Sequence, residues 1–176
     1  MICLLGESSS GKTSVAKELE KLGIRRVVSY TTRPMREGER DGIDYHFMSK
    51  DAFLDLIDTG YFAEVSEFNG WFYGTANKDV NGSTGEDMGY LVHVVNPEGL
   101  RQLRAKGIDV EPYYIKVLKK ERLIKMLNRE DNPDINECFR RIMADEEAFI
   151  GIEEEAYVIE NLHYEKTARQ IAEYIR

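Results

Sequence analysis

Residues 2–13 read ICLLGESSSGKT, and this stretch decides the fold. Residues 6–13 fit the pattern G-x-x-x-x-G-K-[ST], in which glycines let a loop curl so that successive backbone N–H groups point at phosphate oxygens. The apolar run Ile2–Leu5 predicts a strand buried on both faces, and the residues from about Gly11 to Lys21 predict a helix. A strand, a loop and a helix N-terminus in this order favour a phosphate-binding loop, or P-loop, over a flexible Ser/Gly turn, and so predict nucleotide binding.

Two side chains of this loop are suited to a nucleoside triphosphate with its metal ion. Lys12 is expected to act in catalysis by reaching the β- and γ-phosphates, and the hydroxyl of Thr13 is expected to bind Mg²⁺. We expect the whole loop and the first helical residues to hold the triphosphate: Gly6, Glu7, Ser8, Ser9, Ser10, Gly11, Lys12, Thr13 and Ser14.

Short apolar runs alternate with helical periodicity along the rest of the chain. The strands are predicted at residues 26–29, 61–67, 71–73, 90–95, 110–117 and 157–159, and Asn69-Gly70 predicts a tight hairpin turn. The helices are predicted at residues 50–58, 97–106, 119–128, 135–149 and 167–175. Strands that alternate with helices imply an α/β fold, with a parallel sheet covered by helices on both faces.

Composition limits the classes of protein that fit. The 176 residues suit one domain, and 42% apolar and 32% charged residues argue against disorder. We expect no membrane span and no secretory leader, and Cys3 and Cys138 have no metal or disulfide spacing. The net charge of -8 argues against nucleic acid as a ligand. These features predict a cytoplasmic protein, and the sequence leaves open whether it is a monomer or a homodimer.

A second segment, residues 29–47, reads SYTTRPMREGERDGIDYHF and is rich in arginine. Arg33, Arg36 and Arg40 would repel one another unless an anion or carboxylates neutralise them. Arginine is the side chain that grips phosphate with two parallel hydrogen bonds. Spacing alone leaves open whether this segment binds phosphate or is a solvated hairpin neutralised by its own carboxylates.

The segment and its continuation resemble the guanylate kinase family. The family pattern S-x-T-T-R-x-x-R-x-G-E-x-[DN]-G-x-D-Y-x-F, then F-x-E, then Y-G-[ST], is matched by Ser29, Thr31, Thr32, Arg33, Arg36, Gly38, Glu39, Asp41, Gly42, Asp44, Tyr45, Phe47, Phe62, Glu64, Tyr73, Gly74 and Thr75. The resemblance implies ATP-dependent phosphorylation of GMP, and of dGMP, to GDP. It also implies a P-loop core (residues 1–28, 81–118 and 141–176), an inserted mixed β/α GMP-binding region (residues 29–80) and a helical lid (residues 119–140).

The same resemblance assigns roles to individual side chains. The GMP phosphate is expected to be held by Ser29, Arg33, Arg36, Tyr45 and Tyr73. The guanine is expected to be read by Glu64 and Thr75. A carboxylate can accept hydrogen bonds from guanine N1–H and N2–H, and a hydroxyl can donate one to O6. Adenine has no such pair of donors, so Glu64 would be left unpaired and AMP would be rejected.

The lid is expected to supply catalytic arginines that close on the phosphates. The resemblance implies Arg129 and one arginine of the following helical arm. Counting without gaps favours Arg140, and a shift by one residue selects Arg141. The alternative is that these arginines lie on a helix surface beside acidic neighbours such as Glu137.

The resemblance weakens around the strand at residues 90–95. The family commonly has D-x-D-x-x-G there, whereas this chain has Val94 and Asn96. Asn96 can still accept a hydrogen bond from the guanine amino group, but Val94 cannot support Mg²⁺. We expect His93 to be a strand residue with a satisfied partner, and Asp145 to belong to a solvated acidic helix face. Two other functions stay open: a guanylate-kinase-like binding module without catalysis, and a related kinase with a different acceptor.

Overall fold

The computed structural model describes residues 1–80, 90–128 and 133–175, and its larger sheet has five parallel strands. These are β1 (Ile2–Leu5), β2 (Arg25–Arg26), β7 (Leu91–Val94), β8 (Glu111–Lys116) and β9 (Tyr157–Glu160), in the order β2-β7-β1-β8-β9. In β1 every residue is buried, as expected of a short apolar run at the centre of a covered parallel sheet.

Helices cover both faces of this parallel sheet. They are α1 (Lys12–Lys21), α4 (Pro97–Ala105), α5 (Lys119–Leu127), α6 (Ile135–Ala148), α7 (Ile152–Glu155) and α8 (Tyr164–Tyr174). One core cluster joins Leu19 of α1 and Ile171 of α8 to one face, and a second cluster joins Leu100 and Leu103 of α4 to the other. The α/β prediction is therefore confirmed. Within the described ranges, no helix is both long enough and apolar enough to cross a membrane.

A second, mixed sheet lies between the first and second halves of the parallel sheet in sequence. It contains β3 (Tyr30–Thr31), β4 (His46–Phe47), β5 (Phe62–Phe68) and β6 (Trp71–Ala76), in the order β4-β3-β6-β5. Two helices accompany it, α2 (Lys50–Asp58) and α3 (Asn77–Val80). Asn69 and Gly70 have φ values of 53° and 75°, which is the backbone that a type I′ turn requires, so the predicted hairpin is confirmed.

The strand predicted at residues 26–29 exists, but its bounds are wrong. The structure has β2 at Arg25–Arg26 in the parallel sheet, and Val27 still donates a backbone hydrogen bond to Val92. The chain then leaves that sheet and enters the mixed sheet at β3. A pattern of apolar residues cannot show that the chain leaves one sheet after Arg26 and enters another at Tyr30. The elements β4, α3 and α7 were not predicted, since two to four residues are too short for a periodic signal.

Candidate functional site

A cavity of about 260 Å³ is lined by residues that follow β1 and β7 and by residues of the mixed sheet and α6. The carboxyl ends of parallel strands are where ligands bind in α/β folds. The predicted site residues that line this cavity are Gly6, Ser8, Ser9, Lys12, Thr13, Ser29, Arg33, Arg36, Tyr45, Glu64, Tyr73, Asn96 and Arg141. The structure thus brings the residues expected to hold ATP and those expected to hold GMP to one cavity.

Other predicted site residues do not line it, namely Glu7, Ser10, Gly11, Ser14, Thr75 and Arg140. Arg129 lies outside the described residues. The side chain of Arg140 is 68% exposed and pairs with Glu137 on the surface of α6. Arg141 also pairs with Glu137, at 2.9 Å, but its side chain is 18% exposed and lines the cavity. Successive helical residues point about 100° apart, so only one of two neighbouring arginines can face inward. The structure therefore places Arg141, and not Arg140, at the cavity.

The P-loop has the close backbone approach that its glycines predict. A Cβ on Gly6 would lie 2.5 Å from Ser10 Oγ and 2.8 Å from the carbonyl oxygen of Ile115. Gly11 has a φ of 91°, which disfavours any residue with a Cβ. The Nζ of Lys12 donates hydrogen bonds to the carbonyl oxygens of Gly6 and Glu7, the latter at 3.0 Å. Lys12 is thus bound by the loop itself.

Asp145 of α6 is a second group that touches the P-loop. Its carboxylate accepts hydrogen bonds from the backbone N–H of Ser8 at 2.8 Å and from the Ser8 hydroxyl at 3.3 Å, and it pairs with Arg122 at 3.2 Å. Burial raises the pKa of Asp145, although the Ser8 and Arg122 donors lower it. The prediction of a solvated acidic face is wrong for this residue, which is 1% exposed.

A sequence signal for this burial exists. Asp145 follows Cys138 and Ile142 at helical spacing, and all three are buried on the same side of α6. The Glu7 side chain, which we expected to help hold the triphosphate, also turns to this region. It pairs with Arg122 at 3.3 Å. A carboxylate, an arginine and a second carboxylate therefore adjoin one side of the P-loop.

The arginine-rich segment is only partly as predicted. Arg33 is 6% exposed and pairs with Glu39 at 2.8 Å, and its guanidinium lies over the ring of Tyr45. The other Glu39 oxygen accepts a hydrogen bond from the backbone N–H of Arg36 at 2.8 Å. Burial raises the pKa of Glu39, but the Arg33 and Arg36 donors bring it below its usual value. A carboxylate does neutralise Arg33, yet the pair lines the cavity rather than a solvated hairpin.

The residues expected to read guanine form a buried polar group. Glu64 is 4% exposed, and its Oε1 accepts a hydrogen bond from the Thr75 hydroxyl at 2.7 Å. Thr75 is fully buried, and its proton points to Glu64, which differs from the expected donation to guanine O6. The Oδ1 of Asn96 accepts a hydrogen bond from the backbone N–H of Gly99 and so caps α4.

His93 is a member of this group that the sequence did not indicate. Its Nε2 lies 3.1 Å from Thr75 Oγ1 and 3.5 Å from Glu64 Oε1. Its Nδ1 has no hydrogen-bond partner among the described residues, so the expectation of a satisfied histidine holds for one nitrogen only. Strand periodicity was the available signal. His93 lies two residues before Val95, which directly follows β7 and packs in one cluster with Ala63 beside Glu64.

Comparisons with known proteins agree with this geometry. The guanylate kinase family model matches residues 1–176. The guanylate kinase of Methylobacillus flagellatus is 31% identical over 179 residues, which cover 100% of this chain and 88% of that protein. That of Legionella pneumophila strain Paris is 31% identical over 172 residues, covering 93% of this chain and 79% of that protein.

A solved structure is similar across the whole chain. The crystal structure of guanylate kinase from Anaplasma phagocytophilum has a TM-score of 0.78 and 26% sequence identity, and the match covers 100% of this chain and 84% of that one. The sequence match and the structural match both extend over the parallel sheet and the mixed sheet. The chain belongs to the guanylate kinase family.

Proposed function

We propose that this protein transfers the γ-phosphoryl group of ATP to GMP, and to dGMP, to give ADP and GDP. The observation that carries the proposal is the shared cavity, in which a buried carboxylate, Glu64, and a P-loop lysine, Lys12, line the same space. A carboxylate with a free lone-pair edge suits the N1–H and N2–H donors of guanine. The P-loop suits the triphosphate of ATP.

Selection of guanine over adenine follows from the burial of Glu64. Guanine offers two donors to the carboxylate, and adenine offers N1 as an acceptor in the same place. A buried carboxylate that faces another acceptor loses its hydrogen bonds without gaining water, so the wrong base is rejected strongly. Ser66 and Phe68, which follow Glu64 along β5 at strand spacing, also line the cavity beside the proposed base position.

Phosphoryl transfer itself requires alignment and positive charge rather than covalent help. The phosphate oxygen of GMP is already a nucleophile, so we assign no general base. Lys12 would leave the Gly6 and Glu7 carbonyls to bind the transferred group, and Arg141 would approach it from α6. Arg33 and Arg36 would hold the phosphate of GMP, with Arg33 orienting it as part of the Glu39 pair.

Mg²⁺ is part of the proposal. Thr13 stands in the first turn of α1 and lines the cavity, so its hydroxyl oxygen suits a hard cation. Val94, which also lines the cavity, offers no ligand atom. The described residues include no cluster of three or more His, Cys, Asp and Glu side chains that could hold a metal ion. We therefore propose that Thr13, water and the ATP phosphates hold Mg²⁺, whose charge would offset that of the phosphates.

We also propose the division into a core, a GMP-binding region and a lid, which the lining of the cavity supports. The cavity is lined by the P-loop, by the mixed sheet of residues 30–76 and by α6, and these three walls would have to close together to exclude water. α6 spans residues 135–148 and so crosses the proposed boundary between lid and core at residue 140. We also propose that the protein works in the cytoplasm, where ATP and GMP are available.

A coupled assay of ADP release tests the function. ATP and Mg²⁺ are supplied with GMP, dGMP, AMP, CMP or UMP as acceptor. We expect turnover with GMP and dGMP, and kcat/KM at least about a hundredfold lower with the other three acceptors. Turnover with a different acceptor would identify a kinase of another specificity. GMP binding without turnover would instead identify a guanylate-kinase-like binding module.

A further inference from the structure

Four polar side chains beneath the proposed base site are buried together: Ser29, Glu64, Thr75 and His93, each 9% exposed or less. The hydroxyl oxygen of Thr75 is their centre. It lies 2.7 Å from Glu64 Oε1, 3.1 Å from His93 Nε2 and 3.3 Å from Ser29 Oγ. The Glu64 carboxylate accepts a hydrogen bond from Thr75 and lies 3.5 Å from the imidazole of His93, so neutral side chains hold this acid from below.

The positions of the protons follow from these contacts. The Thr75 hydroxyl has one proton, and the carboxylate of Glu64 is its strongest acceptor at the shortest distance. The lone pairs of Thr75 then face His93 Nε2, so this nitrogen must carry a proton to avoid a contact between two acceptors. A proton on Nε2 also faces Glu64 Oε1 at 3.5 Å, where a bare nitrogen would repel the carboxylate.

The environment of the other nitrogen of His93, Nδ1, is consistent with a proton on Nε2. Nδ1 is buried and has no hydrogen-bond partner in the part of the chain that the structure describes. An unpartnered lone pair there fits the neutral imidazole with its proton on Nε2, whereas an imidazolium would bury an unpartnered, charged N–H. His93 is thus a donor whose direction is fixed by the fold, since β7 is paired with β1 in register at Cys3.

We infer that His93 is a positioning residue for base selection, an inference that rests on the proposed function. By donating to Thr75, His93 keeps the Thr75 proton on Glu64 Oε1 and fixes the plane of the carboxylate. The other oxygen, Oε2, lies against Gly99, where even an added Cβ would come within 2.7 Å of it. The carboxylate is therefore held by Thr75 at Oε1 and by Gly99 at Oε2. With its plane fixed in this way, its remaining lone pairs are directed at the proposed guanine site.

Substitution of His93 tests this role. His93→Leu keeps the volume and removes the donor, and His93→Gln places an amide N–H near the position of Nε2. His93→Asn is polar but too short to reach Thr75. Cys3→Ala is the matched control, because Cys3 is equally buried on the adjacent strand and pairs with His93 in the sheet. Circular dichroism and thermal unfolding of each variant verify that it is folded.

The readout is kcat and KM for GMP and for AMP, at saturating ATP. For His93→Leu and His93→Asn we expect KM for GMP to rise about tenfold with kcat within about twofold, and the preference for GMP over AMP to fall by about the same factor. His93→Gln is expected to recover most of that preference, and Cys3→Ala to retain all of it. The comparison of Gln with Asn stands even if His93→Leu fails to fold.

Two results would overturn the inference. The first is an unchanged preference for GMP in His93→Leu or His93→Asn, and the second is an equal loss in Cys3→Ala, which would make the effect one of core packing. Failure of the proposed function has a different signature. In that case the parent protein would show no preference for GMP over AMP before any substitution, and the inference would fall with it.

Discussion

The two ends of the cavity differ in whether their ligand-binding groups are available. The base end contains Glu64, and the phosphate end contains the P-loop. At the base end, Glu64 is fixed by Thr75 and His93, and these donors leave its charge available to a ligand. At the phosphate end, the groups that the P-loop motif offers to phosphate already have internal partners. Lys12 binds two loop carbonyls, and the backbone N–H of Ser8 binds the carboxylate of Asp145.

This difference predicts different behaviour on binding. A guanine can use Glu64 without moving the side chains that hold it. A triphosphate must displace Lys12 from the carbonyls and Asp145 from Ser8, and it must do so against the negative charge of that carboxylate. The base end is therefore expected to be preorganised for selection, and the phosphate end to rearrange for catalysis.

The largest expected effect comes from Lys12→Ala. Loss of the only cationic side chain of the loop 6–13 should reduce kcat by on the order of a thousandfold, because the transferred group loses its charge partner. GMP affinity, measured by titration calorimetry, should stay within about twofold of the parent because the base end is separate. Lys21→Ala, at the exposed end of α1, is the control. Near-normal turnover in Lys12→Ala would refute the assignment of ATP to this loop.

The next effect separates the GMP phosphate from its base. Arg33→Ala or Arg36→Ala should weaken GMP binding about 10- to 150-fold, since each charge-assisted contact contributes about 1.5–3 kcal/mol. Guanosine should bind the parent and both variants equally. Arg40→Ala is the matched control, because Arg40 belongs to the same segment but is exposed and does not line the cavity. Unchanged GMP affinity would mean that these arginines stabilise their own segment and do not bind the phosphate of GMP.

A smaller effect in the opposite direction is expected for Asp145→Asn. Asparagine can still accept the Ser8 hydrogen bond but carries no charge, so ATP affinity at neutral pH should rise about three- to tenfold. Because burial raises the pKa of Asp145, the parent carboxylate becomes neutral at a higher pH than usual. The difference in ATP affinity between parent and variant should thus shrink as pH falls through that pKa.

Titration calorimetry with ATP across pH measures this difference. Glu147→Gln, an exposed change on the same helix, is the control for the change in net charge. A loss of ATP affinity in Asp145→Asn at neutral pH would mean that the carboxylate supports the bound triphosphate. Asp145 would then not compete with the triphosphate for the backbone N–H of Ser8.

The smallest effect concerns the edge of the base site. Asn96→Asp keeps the cap of α4, since either side chain accepts the Gly99 N–H, and it adds a charged acceptor for the guanine amino group. IMP lacks only that amino group. The preference for GMP over IMP in kcat/KM should therefore increase by a factor on the order of five in the variant. An unchanged or reversed ratio would mean that Asn96 does not face the purine.

The sequence predicted the fold because its signals were local. The P-loop pattern, the Asn69-Gly70 turn and the periodicity of the helices each depend on neighbours in the chain, and the structure agrees with them. The bounds of the strand predicted at residues 26–29 were wrong for the opposite reason. In this segment the parallel sheet ends at Arg26 and the mixed sheet begins at Tyr30, and these limits depend on pairing with β7 and with β6.

The candidate site was predicted less completely, and the reason is burial. Residue types and spacing indicated Glu64 and Lys12, but the roles of His93 and Asp145 depend on partners far away in sequence. Asp145 stands beside Glu146 and Glu147 in an acidic run, which suggested a solvated face. Its helical spacing from Cys138 and Ile142 indicates the buried side of α6, but its contact with the P-loop is visible only in the structure.

The most direct test of the account is the acceptor preference of Glu64→Gln, with Glu67→Gln on the exposed part of the same strand as its control. The measurement is kcat/KM for GMP and for AMP in the parent and both variants. We predict that Glu64→Gln loses about a hundredfold with GMP and changes by less than about threefold with AMP. Glu67→Gln should match the parent. An equal loss with both acceptors, or full activity with GMP, would contradict the assignment of guanine selection to the base end.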